Sequence, residues 1–377
     1  MIVLGALMRG IAEQMARNGI ATLTGHVQVH HRGYRSDPVI ENSISAPKEV
    51  TEVLKDVLPA QAVWSPRVRV NAVVSNARHT TGITIVGIEP VREAKVSFIG
   101  GALSEGRYFS EGETSGIIVG KALVNTFETR LGRKLVVMSQ GTDRDIASRA
   151  FRIVGIFRAE LESTEKQFVF IPLGAAQQML KLNDHISEVS IVLDGDKNVD
   201  EVAENLKKVL SAEHYEVHTW RELLPLVTAY LKLNEVFIYI WFVVVFVAMS
   251  FGVVNTTLMA VFERIREFGL LKALGMKPWW IVRGVVTETF FILVIGLVIG
   301  NILSFFSVAV LSGIGIDLSA LAAGSEYFGI SRVIYPVLDV RDFAGSNCVV
   351  LFLGLCVSLY PAIKAARFTP VEALAHT

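Results

Sequence analysis

The sequence predicts an α-helical membrane protein that carries a large extracytoplasmic domain of mixed α and β structure. The mean hydropathy of the chain is +0.46, and its apolar residues are concentrated in the C-terminal third. Of the 377 residues, 51% are hydrophobic and 19% are charged, whereas an ordinary soluble domain has roughly 25% charged residues. We therefore expect part of the chain to lie in lipid.

Three uncharged stretches are long enough to cross a bilayer. They comprise residues 236–262, 289–316 and 343–363, and about 20 apolar residues suffice for a helix to span the hydrocarbon core. The alternative is three buried helices of a large soluble core. It is disfavoured because core helices are seldom uncharged over such lengths. The sequence therefore predicts three full transmembrane helices.

Basic residues in the loops orient these spans. The connector after the first span and the C-terminal tail are basic, whereas the loop 317–342 also carries acidic residues. Because cytoplasmic loops of membrane proteins are enriched in Lys and Arg, we place the connector and the tail in the cytoplasm. The loop 317–342 and the region before residue 235 then lie outside.

The first eight residues, MIVLGALM, resemble the last third of a transmembrane helix. They are apolar but too few to cross a bilayer, and Arg9 follows them. A large outer domain needs a segment that carries it across the membrane, and a signal peptide with a basic start is not seen. We therefore expect a truncated or missing first span. The alternative is a short interfacial segment.

Residues 20–218 have the pattern of an α+β domain. Short alternating runs predict strands, and the spacing of apolar residues predicts helices at 47–57 and 199–210. Thr219 and Glu222 have the spacing of a capping box. They predict the start of a stalk helix that continues into the first full span. The predicted strands are 26–30, 67–74, 82–88, 116–119, 134–139, 151–157, 167–171 and 188–193.

Motifs of several enzyme and binding classes are incomplete or missing in the sequence. The segment that ends at Lys121 resembles a phosphate loop, but it is one residue short and Ala122 replaces the hydroxyl that would bind magnesium. His26 and His30 would share one face of a strand without a nearby Cys or acidic partner, which favours a surface or half-buried strand over a metal site. We therefore expect no catalytic residue, metal or cofactor on this chain. Equal numbers of acidic and basic residues, 36 each, disfavour a nucleic-acid partner.

The cytoplasmic connector predicts a short amphipathic helix. Leu270, Leu271 and Leu274 form an apolar side, and the other side is charged. Gly275 can end this helix, and Pro278 can start the next one. The connector carries more charge than membrane orientation requires, so we predict that it docks on a cytoplasmic partner. The residues assigned to this coupling role are Glu263, Arg264, Arg266, Glu267, Gly269, Lys272, Leu274 and Gly275.

The connector sequence ERIREFGLLKALGMKPWWI resembles the coupling segment of FtsX-like, or MacB-type, ABC transporter permeases. The family pattern is roughly E-R-x-x-E-[FI]-G-x-[LM]-[KR]-A-[LI]-G between two spans, and residues 263–275 match it. The sequence YPAIKAARFTPVEAL at 360–374 is similar to the closing motif of the family. Permeases of this family have four spans, with the first before the outer domain. The N-terminus of this chain departs from that pattern.

Within the family, GHVQVH at 25–30 and GISRVIYP at 329–336 look closest to the lipoprotein-releasing, LolC/LolE-type branch. The resemblance implies a permease subunit in the bacterial inner membrane that pairs with a second copy or a paralogue. It implies ATPase subunits on separate chains, which hold ATP and Mg²⁺, and lipoprotein or lipidic cargo taken from the outer leaflet among membrane lipids. A periplasmic lipoprotein carrier is a further implied partner. At the turn 158–166, the candidate contacts to this carrier are Glu160, Glu162, Glu165 and Lys166.

Two alternative functions stay open. A MacB-type permease exports macrolides or peptides, but that type carries its ATPase on the same chain. An FtsX-type permease transmits a signal to a cell-wall hydrolase, but that type has a smaller outer domain.

The predicted organisation is a helix remnant at 1–19, the outer domain at 20–218, stalk and span at 219–262, the coupling helix at 263–278, a span at 279–316, an outer loop at 317–342, and the last span and tail at 343–377.

Overall fold

The computed structural model describes residues 1–196, 198–317 and 333–369. The predicted outer loop and the closing motif lie partly outside these residues. The chain divides into two compact units. The helical unit contains Met1–Glu13, Tyr230–Asp317 and the residues from Val333 onward, and the sheet unit contains Gln14–Ala229.

The described helices include three that are long and apolar enough, by length and composition, to cross a membrane. These are α9, α11 and α12. The helices are α1 Ile2–Gly19, α2 Pro47–Val57, α3 Pro90–Val96, α4 Lys121–Thr126, α5 Glu162–Gln167, α6 Leu173–Leu180, α7 Val199–Val209, α8 Trp220–Leu223, α9 Pro225–Glu263, α10 Ile265–Ala273, α11 Pro278–Ile314 and α12 Val340–Arg367.

The sheet unit is built on one mixed sheet. Its strands are β1 Val27–His31, β2 Val63–Ser75, β3 Thr80–Ile88, β4 Leu103–Gly106, β5 Gly116–Gly120, β6 Lys134–Gln140, β7 Ile146–Phe157, β8 Phe168–Pro172, β9 Glu188–Val192 and β10 Tyr215–Thr219. The strand order is β10-β1-β9-β2-β3-β8-β5-β7-β4, and β6 pairs with both β2 and β7. All eight predicted strands are present, while β4 and β10 were not predicted. A two-stranded ribbon, β11 Ile316–Asp317 and β12 Val333–Ile334, belongs to the helical unit.

The core of the sheet unit follows from the alternation of side chains along β2. Val68, Val70, Ala72 and Val74 are all buried on one face of the strand, whereas Asn71 on the other face is exposed. Since successive side chains of a strand point to opposite faces, this alternation fixes the register of β2 against β3. Residues of β5, β6, β7 and α6 complete the same apolar cluster.

A buried ionic network, which the sequence analysis missed, lies beside this core. The guanidinium of Arg67 donates to Glu93 with an Nη2–Oε1 distance of 2.7 Å, and Nη1 lies 3.2 Å from Glu188 Oε1. All three side chains are at most 1% exposed. Arg67 also donates to the carbonyl oxygen of Leu23, just before β1. Burial by itself would raise the pKa of Glu93, but the charge and hydrogen bonds of Arg67 outweigh it and hold that pKa below its ordinary value.

The chain enters the sheet unit through a π-helical segment, Ile20–Thr24, that follows α1 directly. It ends at Gly25, whose φ of +67° favours glycine. A Cβ atom at this position would collide with Ser190 Oγ. The glycine of the GHVQVH motif is therefore required by both backbone conformation and space.

The predicted stalk helix from Thr219 is interrupted, which corrects that part of the sequence interpretation. The capping box of Thr219 and Glu222 is present, but α8 ends after one turn. Leu224 adopts φ −114° and ψ 65°, outside the helical region, because a residue that precedes proline is disfavoured in the α conformation. A new helix, α9, then begins at Pro225.

In the helical unit, α1 lies beside the start of α12. Arg9 contacts Asp342 with an Nη2–Oδ2 distance of 2.7 Å and Asp339 with an Nη1–Oδ2 distance of 3.2 Å. The Ala6 carbonyl accepts a 2.9 Å hydrogen bond from the Val337 amide. The segment just before α12 is thus tied to the N-terminal helix by both charge and backbone contacts.

Candidate functional site

The coupling segment forms a separate short helix, α10, between two long helices. Gly275 follows it with a φ of +92°. The Gly275 amide donates to the Lys272 carbonyl and the Met276 amide to the Leu271 carbonyl, both at 3.0 Å. This pair of bonds is a Schellman motif, which satisfies the last carbonyls of a helix and favours glycine at the left-handed position. The prediction that Gly275 ends the helix and Pro278 starts the next one is confirmed.

The packed face of α10 is not its leucine side. Ile265 and Gly269 are buried, and Phe268 packs against an apolar cluster from the facing helices. With Lys272, these residues follow the i, i+3, i+4, i+7 spacing of one helix face. The members of the cluster are Val261, Ile281, Val282, Val285, Ala362, Ala365 and Ala366, with Val286 at its edge.

Leu270 and Leu274 lie on the opposite, open side of α10, whereas Leu271 is half-buried. Leu274 is 77% exposed and Leu270 is 54% exposed. Glu263, Arg266 and Glu267 are also exposed. The connector therefore presents apolar and charged side chains together on a surface that the described part of this chain does not cover.

Lys272 fastens the connector to the last long helix. Its Nζ donates to the carbonyl oxygens of Ala366 and Phe368, at 2.9 and 2.6 Å. These carbonyls lie at the C-terminal end of α12, where backbone acceptors have no partner within the helix and the helix dipole favours a cation. The Phe368 ring meets Phe262 of α9 edge to face at 6.0 Å. Lys272, which the sequence analysis assigned to the coupling role, thus joins two segments of the helical unit.

Arg264 bridges the connector to α11. Its Nε lies 3.0 Å from Glu267 Oε2, and its Nη1 lies 3.1 Å from Glu288 Oε2. The hydrogen bond with Glu267 and the charge of Glu288 raise the pKa of Arg264. Exposed ion pairs of this kind add about 0–1 kcal/mol to stability. Their effect here is to fix where the connector lies against α11.

Glu288 and Phe268 are site residues that the sequence analysis did not assign. The helical spacing of Ile265, Phe268 and Gly269 was present in the sequence and could have identified the packed face. The partner of Arg264 on α11 could not be inferred, because the two residues are 24 positions apart.

A cavity of about 350 Å³ lies between α9 and α11. Its walls are mostly apolar or small, including Met249, Gly252 and Leu293. Arg264 and Glu288, the bridging ion pair, also line it. Movement of the connector would therefore change the shape of this cavity.

The predicted carrier-contact turn of the sheet unit forms a loop followed by α5. Glu165 is buried, and its carboxylate accepts hydrogen bonds from the amides of Ala122 at 2.8 Å and Ala159 at 3.0 Å. Glu162 and Lys166 form an ion pair at 2.8 Å on the surface. Glu165 thus bonds the backbone inside the sheet unit, whereas Glu160, Glu162 and Lys166 are at least partly accessible to solvent.

The two motifs that resembled other sites have structural roles. Lys121 forms an ion pair with Glu105 at 2.6 Å. His30 is buried, not half-buried as predicted, because β1 lies between β10 and β9. Its ring stacks on Tyr34 at 5.1 Å, and burial lowers the pKa of His30. No cluster of three or more His, Cys, Asp or Glu side chains suited to a metal occurs among the described residues.

Comparison with known proteins places both units in recognised families. Residues 1–209 match the MacB-like periplasmic core domain, and residues 239–370 match the C-terminal domain of FtsX-like permeases.

Three relatives show how far the similarity extends. The chain is 23% identical to the lipoprotein-releasing system transmembrane protein LolC of Neisseria meningitidis, over 100% of this chain and 90% of that protein. It is 24% identical to LolE of Haemophilus influenzae, over 82% of this chain and 76% of that protein. It is 23% identical to the macrolide export ATP-binding/permease protein MacB of Marinobacter nauticus, over 72% of this chain but 40% of that protein.

Proposed function

The chain belongs to the family of ABC transporter permeases that combine a MacB-like periplasmic core domain with an FtsX-like C-terminal domain, and on this basis we propose that it extrudes lipoprotein or lipidic cargo from the outer leaflet of the inner membrane. A separate ATPase would drive it. ATP and Mg²⁺ would be held by that ATPase, and this chain would carry no cofactor.

One observation carries this proposal over the alternatives. The similarity to LolC spans 90% of that protein, whereas the similarity to MacB spans 40% of a protein whose name includes an ATP-binding part. We therefore take the lipoprotein-releasing relatives, which this chain matches over most of their length, as the guide to its function.

The geometry of the connector supports a mechanical role in this transport. The exposed side of α10 offers leucines and charges to a cytoplasmic ATPase, and its packed side is attached to two long helices. Arg264 contacts Glu288 of α11, and Lys272 contacts the end of α12. Because both attachments are short and directional, displacement of α10 by an ATPase would move α11 and α12 with it.

The partners follow from the same proposal. A second permease copy or a paralogue would complete the transmembrane assembly, and a periplasmic lipoprotein carrier would accept the cargo. Few ionisable residues occur in the long helices, which disfavours a proton or ion pathway through them. An apolar path suits a lipid-anchored cargo.

The proposal is tested by purifying the chain with its ATPase from membranes and reconstituting the complex in proteoliposomes that contain a fluorescent lipoprotein. We expect ATP-dependent release of the lipoprotein to a periplasmic carrier. The chain alone should hydrolyse no ATP. A complex that moves macrolides but leaves the lipoprotein in place would support MacB-type export instead. A complex that moves neither cargo but activates a cell-wall hydrolase would support the FtsX-type function.

A further inference from the structure

An open groove lies on one face of α11, next to the connector. Trp280, Arg283, Gly284, Thr287, Glu288 and Phe291 line it. These residues recur at the spacing of a helix face, and every one of them is exposed. Nothing lies within 4 Å of the position that a Cβ atom of Gly284 would take, so the glycine leaves a notch in the groove floor. No other described element covers this face.

One cation of this groove, Arg283, has no ion-pair partner among the described residues. Among the described residues, no carboxylate oxygen lies within 4.0 Å of the Arg283 guanidinium nitrogens. The Cζ atom of Arg283 lies 5.3 Å from the centre of the Trp280 ring. Glu288 lines the same groove and lies 3.1 Å from Arg264, which also pairs with Glu267. Lys277 is exposed just before the helix and adds a second positive charge. Arg264, Lys277 and Arg283 outnumber Glu267 and Glu288 by one charge, so the groove and its rim favour an anion.

The position of Arg283 along α11 indicates that the anion is a lipid headgroup. Arg283 is five residues beyond the start of α11 at Pro278, a rise of about 8 Å. Trp279 and Trp280, which are 70% and 54% exposed, have the character of an aromatic belt at headgroup depth. An arginine at headgroup depth is attracted to the phosphates of anionic lipids. Phosphate fits its guanidinium geometry.

We propose that this groove binds an anionic phospholipid of the cytoplasmic leaflet. The lipid phosphate contacts Arg283, and the hydroxyl of Thr287 lies along the path of the glycerol backbone. The notch at Gly284 gives room for that backbone. One acyl chain runs over the exposed ring of Phe291. An annular lipid at this place would sit beside the Arg264–Glu288 contact and restrict the connector on its open side.

The test measures lipids retained by the purified chain. The chain is released from nanodiscs that contain equal amounts of phosphatidylglycerol and phosphatidylcholine, and native mass spectrometry counts the bound lipids. We expect preferential retention of phosphatidylglycerol and a drop of about fivefold in that preference for Arg283→Gln, since one cation near the surface contributes roughly this factor. Gly284→Leu fills the notch without a change in charge and should also reduce retention.

Lys364→Gln is the matched control. Lys364 is also an exposed cation near an aromatic ring, 5.4 Å from the centre of Phe262, but it does not line this groove. Retention should be unchanged in this variant. Equal lipid preference in the wild-type chain and Arg283→Gln, or the same loss in Lys364→Gln, would overturn the proposal. Displacement of the lipid by soluble glycerol phosphate at equal concentration would also overturn it, because it would show a site for free phosphate.

Discussion

The ammonium nitrogen of Lys272 lies 2.6 Å from the carbonyl oxygen of Phe368, the residue that follows α12. This contact joins the connector helix to the end of the last long helix across 96 positions of sequence. In the proposed function, this contact transmits movement of the connector to the last long helix.

Lys272→Met should uncouple ATP hydrolysis from transport in the reconstituted complex. The substitution keeps the apolar stem but removes the charged donor, so the Ala366 and Phe368 carbonyls lose their partner. We expect a loss of stability of roughly 1.5–3 kcal/mol, typical of a hydrogen bond to a charged group, and more ATP hydrolysed per cargo molecule released. Lys272→Arg retains a donor and should keep most coupling. Normal coupling in Lys272→Met would show that the contact is dispensable.

Gly275→Val should disturb the connector through the backbone alone. The residue has a φ of +92°, and nothing lies within 4 Å of the position of a Cβ atom. The valine side chain therefore meets no described neighbour. The substitution should lower stability by about 1–2 kcal/mol, because an L-residue is disfavoured in the left-handed conformation. We expect reduced coupling with little change in the amount of folded protein. Asparagine tolerates this conformation better, so the coupling of Gly275→Asn should be intermediate between those of Gly275→Val and the wild type. Equal coupling in both variants would contradict this explanation.

Glu267→Trp should block docking of the ATPase on the open side of α10. Glu267 is exposed, with 64% of its side chain accessible, and it bonds Arg264 on the same connector. A bulky side chain here leaves the packed face intact but changes the exposed one. We expect weaker co-purification of the ATPase and a higher ratio of ATP hydrolysed to cargo released. Glu267→Gln controls for the loss of charge and should have a smaller effect. A Trp variant that binds and couples normally would exclude this surface from docking.

The buried pair of Glu93 and Arg67 should make the sheet unit sensitive to acid. The folded pKa of Glu93 lies below its ordinary value of 4.5, so its stabilising contribution is complete above pH 4.5 and is lost as the pH falls through the folded pKa. Hydrogen exchange of β2, corrected for intrinsic rates, should therefore accelerate below pH 4.5.

Glu93→Gln tests the same pair at neutral pH. The substitution removes one of the two buried carboxylates that face Arg67. Breaking such a buried pair lowers the free energy of unfolding by about 3–5 kcal/mol. The acid-dependent loss of protection should shrink in this variant. Glu128→Gln, which alters the exposed pair with Arg78, should change neither measurement. An unchanged pH dependence in Glu93→Gln would assign the acid sensitivity to other groups.

The sequence alone determined the features that depend on neighbouring residues. The long apolar stretches predicted three spanning helices, Gly275 and Pro278 bounded the connector, and Thr219 with Glu222 predicted a cap that the structure contains. These signals are local because helix length, capping and turn conformation depend on a few adjacent residues. The early end of α8 is also encoded locally, because Pro225 disfavours the α conformation at Leu224.

The tertiary structure alone decided which distant residues meet. It placed β1 between β10 and β9, paired Arg67 with Glu93 and Glu188, and directed Lys272 to the end of α12. It also showed that Ile265, Phe268 and Gly269, and not the leucines, form the packed face of α10. A hydrophobic pattern indicates that one face of a helix or strand can be buried. Which element packs against that face depends on how the other helices and strands fill the space around it. That choice is a property of the folded chain as a whole.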